Sequence, residues 1–136
     1  MLKMRVAIGL CLLGMAGCNG GSRGDGCAFE PAAGDLLFQD CDCGAMCDAI
    51  EMVTSGYKGA DFSHVGIVAR DEKGDMAVIE AVSVGVVMTD LRRFMERSLD
   101  SMGRPKVIVG RLKQSYRHLA PAAVRQAIAL KGKPYD

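Results

Sequence analysis

The chain has no tryptophan, only 5% aromatic residues, two histidines, and no cysteine after Cys47. So few rings leave little from which to build a platform for stacking nucleobases. An excess of one charge is missing too: 17 basic against 16 acidic side chains give a formal net charge of +1, without the clustered basic excess of a nucleic-acid surface. Nucleic acid is therefore not expected as a partner. No repeat occurs at a useful period, and 136 residues suffice for one domain with a real core.

What is present begins with an export signal. Lys3 and Arg5 precede an apolar run from Val6 to Leu13, and small residues lead on to Cys18. The run is too short to span a bilayer stably as a helix. Met15-Ala16-Gly17-Cys18 resembles a bacterial lipobox, which implies a leader over residues 1–17 and a lipid-modified Cys18 as the new N-terminus. Losing Lys3 and Arg5 leaves 15 basic groups against 16 acidic, a net of −1. The acyl chains, rather than charge, would then supply the attachment to the membrane. The expected location is the cell envelope, on the periplasmic or extracellular side. Residues 18–26 are rich in glycine and small polar side chains and read as a flexible tether, with the domain over residues 27–136.

Within that domain, Leu36 to Gln39 reads as a first strand after the Gly34-Asp35 turn, and residues 46–55 as a short helix stopped at Ser55-Gly56. Ser63 to Glu80 contains two strand-like runs joined by Asp71-Glu72-Lys73-Gly74, a hairpin that brings His64 and Glu80 to the same end of the ribbon. Gly85 to Met88 continues the sheet. Asp90 can cap a helix over Leu91 to Arg97, with Leu91, Phe94 and Met95 on one face and Arg92, Arg93 and Arg97 on a solvated one. Lys106 to Leu112 reads as a further strand, and Pro121 to Leu130 as a last helix ended by Gly132.

A carboxylate that accepts from one imidazole N–H fixes the tautomer and leaves the other nitrogen free to take a proton from a nucleophile. His64 and Glu80 suit those roles; a satisfied core histidine is the bland alternative. His118 lies in a polar linker and reads as surface.

Five segments in order, GDLLFQ at 34–39, CDAIEMVT at 47–54, DFSHVGIV at 61–68, AVIEAVSVGVVMTDLRRFMER at 77–97 and KGKPYD at 131–136, resemble the permuted papain-like cysteine hydrolases of the NlpC clan, in particular the YiiX/YebB-like branch. The resemblance implies an α+β fold, a mostly antiparallel sheet with flanking helices, incomplete at the C-terminus. It also implies His64 as general base, Glu80 as the residue that orients it, and Gln39 as a candidate for the polar rim that binds substrate. In that family the nucleophilic cysteine follows a GKPYD-like segment, so it is expected beyond residue 136 and these residues alone should not catalyse. The implied activity of the complete protein is amide hydrolysis in the envelope, on peptidoglycan peptides or another small amide, with no cofactor and no metal.

Other readings remain open. A non-catalytic module could bind amino acids or peptides in the same cleft, and the clan includes members that act on acyl-lipid amides or esters. Cys47 at a helix start could itself be a nucleophile of the unpermuted type. For Cys41, Cys43 and Cys47 a disulfide, with Cys27 as one possible partner, or free structural thiols come first; a nucleophile comes second and a metal site, for which the spacing is unusual, third.

Overall fold

A computed structural model of the chain describes residues 30–135. The expected leader, Cys18, the tether and Cys27 lie outside the described residues. Strands β1 (Leu36–Gln39), β2 (His64–Arg70), β3 (Met76–Val82), β4 (Gly85–Asp90) and β5 (Val107–Gly110) form one sheet in the order β4-β3-β2-β1-β5. Every pairing is antiparallel. Helix α1 (Ala45–Val53) joins β1 to β2, α2 (Leu91–Glu96) follows β4 directly, and α3 (Ala120–Ala129) follows a 3-10 segment over Gln114–Leu119. The arrangement is α+β, as the sequence predicts. Strand β5 is shorter than the expected 106–112, because β1 offers only four residues for it to pair with.

The β2–β3 hairpin is set by its turn. Asp71 Oδ1 accepts the backbone N–H groups of Lys73 and Asp75, both at 2.9 Å, and Gly74 takes φ +88°. An aspartate bonding its own downstream backbone and a glycine at positive φ are what a tight polar turn requires.

One face of the sheet carries the core. Leu37, Val68 and Val78 project from it and are fully buried against Phe94 of α2, with Leu91 and Met95 packed alongside. Asp90 caps α2 by accepting Arg93 N–H at 2.9 Å, so the cap and the apolar face predicted for this helix both form. Gly66 on β2 makes the docking possible. A Cβ there would fall 2.3 Å from Val78 Cγ1 and 3.3 Å from Phe94 Cε2. The absence of a side chain lets the Phe94 ring settle on the sheet, and this fixes where the end of α2 lies. At the far edge, Lys133 O accepts from Val86 N and Val86 O accepts from Gly132 N, tying the end of the described chain to β4.

Candidate active site

In the β2–β3 register Glu80 stands opposite Gly66, two residues along from His64. Diagonal neighbours on one face of an antiparallel pair lie within reach of long side chains. The two meet: His64 Nε2 lies 2.6 Å from Glu80 Oε2. The glutamate side chain is fully buried and the histidine 19% exposed, so the imidazole is the member that solvent or a substrate can reach.

Glu80 is held from three sides. Arg97, just past the end of α2, donates Nη1 to Oε2 at 2.8 Å and Nη2 to Oε1 at 2.6 Å. Thr89 on β4 donates its hydroxyl to Oε1. With His64, that makes two hydrogen bonds on each oxygen, filling the roughly four lone-pair sites of a carboxylate. Burial is the largest single influence on Glu80 and by itself would raise its pKa. The hydrogen bonds from Arg97, His64 and Thr89, with the charge of Arg97, outweigh burial and hold the carboxyl at about 2. An ionised carboxylate can only accept, so Nε2 of His64 donates to it, and in the neutral imidazole Nδ1 is then the acceptor.

Arg97 corrects the sequence reading, which put it on a solvated face with Arg92 and Arg93. Arg92 does sit there, in an exposed pair with Glu96 at 2.7 Å. Arg97 instead turns inward, its guanidinium 5.2 Å from the centre of the Phe94 ring and bidentate on Glu80. The signal available was its i, i+3 spacing from Phe94, which puts both on one face of the helix. Thr89 carried no comparable signal in the sequence.

Gln39 pairs with His64 across β1 and β2, but the structure places its side chain below the surface rather than on a rim. Fully buried, it donates Nε2 to Phe94 O at 2.9 Å and accepts from Cys41 Sγ at 3.4 Å. Its contact is with the backbone of α2, so it helps hold the helix that delivers Arg97.

The cysteines follow the reading placed first in the sequence, a disulfide and a free thiol, with both partners of the disulfide inside the cluster. Cys43 and Cys47 form a disulfide across the start of α1, with Cα atoms 5.4 Å apart. Cys47 is buried, and a sulfur in a disulfide has no thiolate to offer, so the unpermuted alternative built on Cys47 fails. Cys41 is the free thiol among the described residues. Burial raises its pKa; the Arg97 charge opposes this, the Glu80 and Asp40 carboxylates add to it, and Lys106 again opposes. The net effect favours the protonated, poorly nucleophilic form. His118 is exposed in the 3-10 segment.

Residues 30–136 match the family model described as permuted papain-like amidase enzyme, YaeF/YiiX, C92 family. No curated protein and no solved structure matches the chain.

Proposed function

The chain belongs to the permuted papain-like amidases of the YaeF/YiiX kind, and on that footing we propose that the complete protein cleaves amide bonds of peptidoglycan peptides in the cell envelope, with His64 as the general base and Glu80 orienting it. The observation that carries the reading is the 2.6 Å contact between a partly exposed imidazole and a buried, ionised carboxylate. His64 Nδ1 takes the proton of a cysteine thiol as the sulfur attacks the amide carbonyl, and returns it to the departing amine. The resulting thioester is then hydrolysed by water, which His64 deprotonates in turn. The nucleophile is a cysteine outside the described residues, because Cys43 and Cys47 are joined to each other and Cys41 is held protonated. Attachment to the membrane through lipid on Cys18 completes the proposal.

The test is incubation of the complete protein with purified peptidoglycan, counting newly exposed amino groups. Release by the parent and its loss in His64→Ala is the expected result. Equal release by both proteins would overturn the assignment of the base, and no release by the parent would overturn the substrate.

A further inference from the structure

At the opposite end of β2 from His64 lies a cleft of about 600 Å³, between the start of β1 and the 3-10 segment and α3. Arg70 on its wall is six residues along the strand from His64, roughly 20 Å at the rise of a β-strand. The cleft is therefore separate from the candidate active site. Gly34 shapes it: with φ +93°, a Cβ there would sit 2.6 Å from the Cβ of Ala120, so the start of α3 docks directly on the turn before β1.

Its lining divides by chemistry. Leu112, Val124 and Ile128 give an apolar floor with no side-chain polar atom, while Arg70, Arg117 and Arg125 are exposed at its wall. Arg111 also lines the cleft but is engaged with Asp35, donating Nε to Oδ1 and Nη2 to Oδ2, both at 2.7 Å. Asp35 is the one carboxylate among the described lining residues, so its pairing with Arg111 leaves three guanidinium charges without an acidic partner in the cleft. Arg70 spends Nη1 on Gly74 O and Arg117 spends Nε on Leu112 O, both neutral acceptors, and each keeps further N–H donors. The Arg125 guanidinium makes no hydrogen bond or ion pair among the described residues.

We propose that this cleft binds a single-chain anionic amphiphile, a free fatty acid, with its hydrocarbon on Leu112, Val124 and Ile128 and its carboxylate among Arg70, Arg117 and Arg125. Charge complementarity selects an anion, since three cations face the cleft without a carboxylate to answer them. The floor excludes a polar body such as a sugar or nucleotide, whose hydroxyls and ring nitrogens would lose water without gaining partners. The volume falls in the usual range for one small ligand, and concavity suits a single chain better than a bilayer surface. Guanidinium groups near solvent let the carboxylate keep part of its hydration while forming charge-assisted hydrogen bonds.

Calorimetric titration of the chain with dodecanoate, below the concentration at which it forms micelles, tests this. Dodecanol supplies the tail without the charge, acetate the charge without the tail, and anionic phospholipid vesicles the charged surface without a free acid. Saturable binding of one dodecanoate is expected, at least tenfold tighter than dodecanol or acetate. Arg117→Glu with Arg125→Glu should weaken it at least tenfold, and Val124→Asp should do the same from the floor. Both lie outside the core, and circular dichroism checks that the fold is kept. Absent saturation, equal affinity for dodecanol, unchanged binding in the variants, or binding to vesicles alone would each overturn the proposal.

Discussion

Arg97 grips both oxygens of Glu80, the carboxylate that also holds His64. The guanidinium arrives from α2 and the imidazole from β2, so the orientation of His64 depends on how the helix is docked on the sheet. The fold places a cation where it keeps the orienting carboxylate ionised, at the cost of sharing that carboxylate's charge between two partners.

Removing the guanidinium should show this directly. In Arg97→Ala the midpoint at which Glu80 protonates should rise from about 2 by at least one unit, by carbon-13 NMR of the labelled carboxyl. A midpoint that stays put would mean that His64 and Thr89 suffice. Thermodynamic stability should also fall, by roughly 1–3 kcal/mol: the carboxylate left behind is buried, but Arg97 is a third exposed, which discounts the pair.

Acid stability follows from the same group. Glu80 titrates at about 2 in the fold against an ordinary 4.5, so the unfolded chain holds the proton more tightly. Its contribution is complete above about 4.5 and is lost as pH falls through about 2, a gap worth on the order of 3 kcal/mol at neutral pH. Urea midpoints taken between about pH 6 and about pH 3 should fall more steeply for the parent than for Glu80→Gln, which has no such proton to take up. Parallel slopes would contradict the account.

The close approach of α2 to the sheet gives another handle. Gly66→Ala puts a methyl 2.3 Å from Val78 Cγ1, and both Val78 and Phe94 are fully buried and cannot step aside. A loss of about 1–3 kcal/mol in urea denaturation is expected, the usual range for overpacking. Because Arg97 follows Phe94 by three residues, the variant should also raise the Glu80 midpoint. Stability unchanged within error would show that the helix has slack.

Thiol chemistry separates the cysteines. Without reductant, an alkylating reagent followed by peptide mass spectrometry should modify Cys41 slowly and leave Cys43 and Cys47 unmodified. Reductant should open the latter two. Rapid modification of Cys47 before reduction would remove the disulfide from the account.

How much of this was legible in the sequence divides by distance along the chain. The hairpin could be read because Asp71 and Gly74 set its turn locally, and its register then placed Glu80 diagonal to His64. The cap on α2 and its apolar face were equally local. Arg97 was not, because Arg92, Arg93 and Arg97 are chemically alike, and the one that turns inward is chosen by Phe94 seating on Gly66, 28 residues earlier in the chain. Gln39 read as a candidate for the substrate-binding rim, and only the path of α2 buries it. The Cys43–Cys47 link depends on where α1 begins, and three cysteines in seven residues allow several pairings.

The central claim is that His64, held by Glu80, activates a cysteine that is not among the described residues. The most direct measurement is the labelling rate of the complete protein by a thiol-directed electrophile, with the modified residue mapped by mass spectrometry, in the parent and in His64→Ala. The account predicts fast labelling of a cysteine outside residues 30–135, slowed by about two orders of magnitude without the imidazole. Labelling that falls on Cys41, or proceeds equally fast in His64→Ala, would contradict it.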